Sequence, residues 1–165
     1  LEATCDHPPG VDPISNILVF FFIKWNFSFN WINLNAALDK KPMEKIKNVR
    51  FLNEDFLNIT IKDKILEEFK GKIDVVISDM AADTTGNKSI DCIRTNNLCS
   101  EVINFSLNIL KNKGNLIAKL FMGEDFIEVK NLAKKNFKKV EFYKPKSSRS
   151  ESKETYIICS ILKTL

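Results

Sequence analysis

Hydrophobic patterning divides the chain into two regimes. Residues 17–23 (ILVFFFI) are continuously apolar until Lys24 intrudes before WNFSFNW, and residues 1–33 as a whole read apart from the rest of the chain. Seven apolar residues fall well short of the roughly 20 needed to cross a bilayer. The stretch also lacks the basic n-region and small-residue cleavage site of a signal peptide. A buried strand, an ill-formed terminus or a membrane-surface segment remain as readings. From residue 34 the pattern becomes regular, with short apolar runs alternating with longer amphipathic ones, as in βαβ units. Strands are predicted at 34–38, 49–52, 73–78, 115–121, 139–143 and 155–162, and helices at 61–70, 95–111 and 124–136. In the second helix Leu98, Val102, Phe105 and Ile109 make one buried stripe, and in the third Phe126, Val129, Leu132 and Ala133 do so. Gly114 suits a helix C-terminus leading into a turn. The pattern predicts one doubly wound α/β domain with a mostly parallel sheet.

Composition narrows the function classes. At 165 residues, 44% hydrophobic and 28% charged, the chain can bury a core without staples and is not a disordered tail. Four cysteines (Cys5, Cys92, Cys99 and Cys159) are widely spaced, and a single histidine, His7, leaves too few ligands for a His-based zinc site. Free thiols in a reducing compartment, and no metal, are expected. Hydrolases built on Ser-His-Asp or Cys-His are nearly excluded, because His7 sits in an irregular stretch. Charge is uneven. Residues 1–35 hold Glu2, Asp6 and Asp12 against Lys24, a net of −2, so the remainder carries +6 of the total +4. That basic body is a weak pointer to a polyanionic partner.

In open α/β sheets ligands sit beyond the carboxyl ends of the strands, and four such ends offer a polar group. Asp39 closes strand 34–38, where an acid can take hydrogen bonds from a ribose diol. Asp55 follows strand 49–52, where nucleotide folds contact the base. Asp79 ends IDVVIS, and Lys119 lies inside the apolar strand NLIAKLF. The plainer readings are turn or cap residues for the three acids, and a solvent-facing edge strand for Lys119. An ammonium within an apolar strand costs energy unless it is paired or used. A fifth element, Lys144 to Glu154, is either a solvated loop or a mobile basic loop for phosphates ending in a carboxylate.

Taken together, SDMA (78–81), the helix with NNLCSEVINFSLNIL, AKLFMGEDF (118–126) and KPKSSRSESKETYIIC (144–159) resemble the FtsJ/RrmJ family of ribosomal RNA ribose 2′-O-methyltransferases. LDKKPMEKIKNVRFLNEDF (38–56) is similar to that family's segment for the methyl donor's ribose and adenine. The match covers about residues 34–162, and KPxSSRxxSxExY following KxFxG is its most restrictive part. The resemblance implies a Rossmann-like S-adenosylmethionine-dependent methyltransferase domain over 34–165, with an antiparallel last strand. Asp79, Lys119 and Glu154 match three members of a Lys-Asp-Lys-Glu catalytic tetrad. Asp39, Asp55 and Asp79 match cofactor-contacting acids, and Lys144, Lys146, Arg149 and Lys153 fall in the RNA-binding loop. Lys119 would act as base on a ribose 2′-hydroxyl, Asp79 would orient it, and Glu154 would help hold the ribose. The implied target is a uridine in large-subunit ribosomal RNA, in support of ribosome assembly. The implied protein is a cytoplasmic (or organellar) monomer with no membrane and no metal. A transfer RNA or messenger RNA cap methyltransferase shares the same core.

The chain departs from the pattern at its start. The family has a GxxPGxW-type segment after its first strand, whereas no glycine lies between Gly10 and Gly71, and HPPG (7–10) follows no strand. Lys24 is the only lysine before Lys40, too close to Asp39 for the tetrad's first lysine, whose role stays unassigned. The expectation is a truncated or frame-disturbed gene product whose residues 1–33 are not homologous. A diverged working N-terminus, and a catalytically impaired or non-catalytic RNA-binding module, are the alternatives. Bulky Phe, Trp and Ile across 11–33 block close backbone approach to the methionine half, so weak S-adenosylmethionine affinity is expected.

Overall fold

The computed structural model describes residues 17–20, 56–69, 73–123, 125–149 and 151–163. Asp39, Asp55, Lys24, HPPG and the strands expected at 34–38 and 49–52 lie outside them. In chain order the elements are β1 (Ile17–Phe20), α1 (Ile59–Phe69), β2 (Ile73–Ser78), α2 (Lys88–Ile109), β3 (Leu110–Phe121), α3 (Phe126–Asn136), β4 (Phe137–Tyr143) and β5 (Glu154–Leu162). Among the described residues these strands form one sheet in the order β1-β2-β3-β5-β4. β1, β2 and β3 pair in parallel, and β5 is antiparallel to both β3 and β4. Four strands therefore run one way and only β5 runs against them, as the α/β reading anticipates. β1 comes from within the segment 1–33 that the sequence sets apart, its Phe20 level with Ser78.

The β-branched run of β2 favours an extended backbone, and β3 alternates strictly. Leu116, Ala118 and Leu120 are fully buried, while Asn115, Ile117, Lys119 and Phe121 face the other way, half-buried. The buried face joins Val76, Ile157 and Cys159 and meets Val102, Phe105 and Ile109 of α2 and Val129 and Ala133 of α3. Phe56 closes the core beside α1, its ring edge-on to Phe105 at 5.3 Å. Cys92, Cys99 and Cys159 are free and buried, and burial pushes the Cys159 thiol up to about 12.

Two element boundaries and one strand's place in the sheet differ most from expectation, each for a local reason. α2 begins at Lys88 rather than 95, because Asn87 caps it with Oδ1 accepting from the N–H groups of Ser89 and Ile90. Its first turns bury Asp91 and Cys92 but leave Ile90 and Ile93 exposed, so they carry no apolar stripe. α2 also passes into β3 at Leu110 without a connecting turn. Gly114 therefore sits in the strand, at a bulge where five steps of β3 (Leu110 to Asn115) oppose two of β2 (Ile73 to Val75). A Cβ at Gly114 would come 2.9 Å from the Lys111 carbonyl and 3.2 Å from that of Asp74. The glycine serves a close backbone approach, not a helix cap. Finally, Lys119 lies on a central strand between β2 and β5, which corrects the edge-strand reading.

Candidate active site at the carboxyl edge of the sheet

Topology gathers the site. Ala118 is level with Ser78, so Lys119 and Asp79 emerge as neighbours at the carboxyl ends of β3 and β2. Because β5 runs the other way, its first residue, Glu154, reaches the same edge opposite Phe121, with Tyr156 opposite Lys119. Period-two alternation then puts Glu154 and Tyr156 on one face of β5.

The side chains meet there. Lys119 Nζ lies 2.6 Å from Asp79 Oδ1 and 3.6 Å from Glu154 Oε2. The lysine side chain is 12% exposed, against 36% for Asp79 and 32% for Glu154. The ammonium is thus at the bottom of the cluster and the carboxylates at its mouth. Tyr156, to which the sequence pattern gives no separate role, donates its hydroxyl to Asp79 Oδ1 at 2.8 Å. Burial, then the Asp79 hydrogen bond and the charges of Asp79 and Glu154, raise the Tyr156 pKa, which keeps the phenol protonated as a donor. Its position two residues after Glu154, as the last residue of the KPxSSRxxSxExY pattern, is the signal the sequence offers for it.

Two further polar devices hold this edge. Asn96, fully buried on α2, accepts the Phe121 N–H at 2.7 Å and donates to the Phe121 carbonyl at 2.9 Å and to Asp125 Oδ1 at 3.0 Å. It pins the end of β3, two residues beyond Lys119, to α2 and to the start of α3. Asp91 takes the backbone N–H and hydroxyl of Thr85 at 2.7 and 2.8 Å and so folds the loop after Asp79 onto α2. Its carboxyl is held below the ordinary 3.8, chiefly by the Thr85 N–H, with burial working the other way. Neither residue belongs to an apolar stripe, which is why periodicity passes over them.

The basic loop connects β4 to β5 and therefore lies at the same edge. Lys144, Lys146, Arg149 and Lys153 are all exposed. Lys144 Nζ donates to the Ser152 carbonyl across the loop's neck at 2.9 Å, and turns close at Pro145–Ser148 and Arg149–Ser152. Two carboxylates against one ammonium give the cluster a formal charge of −1, an acceptor-rich set suited to a cationic sulfonium and a neutral hydroxyl together. Asp39 and Asp55 lie outside the described residues, so the acids expected at the ribose and adenine enter from sequence alone. Among the described residues no group of three or more His, Cys, Asp or Glu side chains gathers to hold a metal, and no helix is long and apolar enough to cross a membrane.

A family model described as FtsJ-like methyltransferase matches residues 32–161. The chain belongs to the FtsJ-like methyltransferase family. It is 48% identical over 128 residues to ribosomal RNA large subunit methyltransferase E of Pelagibacter ubique, covering 78% of this chain and 63% of that relative. Against the protein of the same name from Rickettsia akari it is 43% identical over 126 residues, covering 76% and 56%. The chain thus spans about three fifths of the length of these FtsJ-like relatives. Among solved structures, a ribosomal RNA methyltransferase from Plasmodium falciparum superposes with a TM-score of 0.63 at 28% identity, over 74% of this chain and 69% of that one. Human methyltransferase-like protein 13, solved in complex with SAH, shares the fold at a TM-score of 0.55 and 14% identity, over 78% and 56%.

Proposed function

We propose that residues 34–165 are the methyltransferase domain of an S-adenosylmethionine-dependent enzyme that methylates a ribose 2′-hydroxyl in large-subunit ribosomal RNA, a uridine by family resemblance, during subunit assembly. Its setting would be the cytoplasm or an organelle, with the chain acting as a monomer. The observation that carries this reading is the Lys119–Asp79–Glu154 cluster at the carboxyl edge, in a family whose relatives bear ribosomal RNA methyltransferase names.

When bound, the cofactor supplies an activated methyl group with its leaving group already attached. Asp39 and Asp55 would hold its ribose and adenine, with Asp79 contributing from β2. The chain's own task is to position a poor nucleophile and remove its proton. Glu154, at the mouth, accepts a hydrogen bond from the ribose. With its extra proton released to solvent, Lys119 Nζ takes the 2′-hydroxyl proton, oriented by the Asp79 carboxylate whose Oδ1 lies 2.6 Å away. Tyr156 fixes that aspartate oxygen by donating its hydroxyl to it. Residues Lys144, Lys146, Arg149 and Lys153 attract the phosphate backbone.

The test is methyl transfer from labelled S-adenosylmethionine to RNA, read with alkaline hydrolysis, because a 2′-O-methylated linkage resists cleavage. Lys119→Ala is expected to lower turnover by a factor of about 100 to 10,000 while cofactor binding by calorimetry stays unchanged. Full turnover in Lys119→Ala, or label on a base instead of the ribose, overturns the reading.

A further inference from the structure

Beyond the catalytic cluster, the same strand pair continues into a surface feature of different chemistry. One step past Phe121 and Glu154, the Met122 N–H donates to the Lys153 carbonyl at 2.8 Å. Here Met122, Gly123, Phe126 and Lys153 line a shallow pocket of about 330 Å³. Its wall is apolar and exposed, with Met122 48% accessible. The Phe126 ring is braced by Phe142 at 4.9 Å between centroids. The rim is cationic, because Lys153 is the last residue of the basic loop. Gly123 keeps the pocket close to α2, since a Cβ there would come 3.0 Å from that of Cys92.

An aromatic face beside a lysine and one strand step from a ribose site is the surface that a single-stranded nucleotide needs. The base stacks on the ring, and the phosphate meets the ammonium. Met122, just past the end of β3, lies three residues from Lys119, about 10 Å at strand spacing, within reach of the adjoining nucleotide. We propose that this pocket binds the base of a nucleotide flanking the methylated one, with Phe126 as stacking platform, Met122 as apolar wall and Lys153 as phosphate contact. The proposal deepens the function proposed above and rests on it for the identity of the strand. Continuity with the catalytic edge and the cationic rim favour RNA over an apolar peptide or a second copy of the chain.

The probe is a short oligouridylate carrying a single 2-aminopurine, whose fluorescence is quenched when the base stacks. Binding to the full chain is expected to quench it. Phe126→Leu, which keeps apolar contact with Phe142 but removes the stacking face, is expected to abolish most of the quench and to weaken affinity about tenfold. Lys153→Ala is expected to lower the magnitude of the salt slope of binding by about one. Because Phe126 also packs on the core, Met122→Glu serves as a second variant. It is exposed, leaves packing intact and sets a carboxylate against the phosphate, and it too is expected to lose the quench. Binding without quench in the parent chain, or quench and affinity unchanged in both Phe126→Leu and Met122→Glu, overturns the pocket. Methyl transfer is measured separately. Quench without transfer would sink the enzymatic reading while leaving the pocket standing, and transfer without quench would do the reverse.

Discussion

β3 carries two lysines that pair at nearly equal distance with two aspartates, Asp74 within β2 and Asp79 just past its end, and the two pairs do very different things. At one end Lys111 Nζ lies 2.7 Å from Asp74 Oδ1, with the lysine 46% exposed. At the other Lys119 lies 2.6 Å from Asp79, only 12% exposed, with Glu154 at 3.6 Å and Tyr156 on the same aspartate oxygen. Distance alone does not distinguish a site from a surface ion pair. What distinguishes them is the end of the sheet. At the carboxyl edge the reversed β5 brings in a second carboxylate and a phenol, and the basic loop joins β4 to β5 there. The Lys111 pair sits at the opposite edge, beside the bulge at Gly114, where β2 and β3 are only beginning to pair. Solvent there screens the pair, so it is worth little.

Exchanging the two lysines for alanine in turn gives the largest contrast. Lys119→Ala should remove nearly all methyl transfer, whereas Lys111→Ala should leave it at the parent level. Equal losses in both would mean that β3 responds as a whole and that the site has no privileged lysine. Next in size is Asn96→Ala. Losing the three hydrogen bonds of this buried side chain, and leaving the Phe121 amide and the Asp125 carboxylate without that partner, is expected to cost about 2–4 kcal/mol in denaturant unfolding. If stability is unchanged, the carboxyl edge of β3 is not held by α2.

Tyr156→Phe should act more gently, slowing turnover on the order of tenfold and costing about 1 kcal/mol. The phenol's raised pKa also fixes a sign. Its folded-state pKa lies above the ordinary 10, so its contribution is fully present below that value and is lost as pH rises from there. The parent's alkaline loss of stability should therefore be shallower in Tyr156→Phe, and parallel pH profiles would count against the Asp79 contact. The smallest effect belongs to the Lys111–Asp74 pair. Lys111→Ala is expected to change stability by less than about 1 kcal/mol, with the difference shrinking as salt rises. A larger, salt-insensitive effect would show that the pair contributes through packing at the bulge.

Local sequence determined much of this. The apolar run of β2, the alternation of β3 and β5 and the stripes of α2 and α3 are period signals, and they place these elements within a few residues. Lys119 announces itself because an ammonium in an apolar strand is costly, and Asp79 because it follows a strand. The structure alone decided the rest. Gly114 reads as a helix cap in sequence because spacing does not register a bulge, which exists only once two strands pair. The first turns of α2 escape notice because the Asn87 cap and the Asp91–Thr85 bonds, not an apolar stripe, define them. Asn96 and Tyr156 carry no periodic signal, since each gains its role from a partner 25 or 77 residues away in the chain. Local pattern reports which face is dry. Which distant polar groups share that edge is set by strand order and by the one strand that runs backwards.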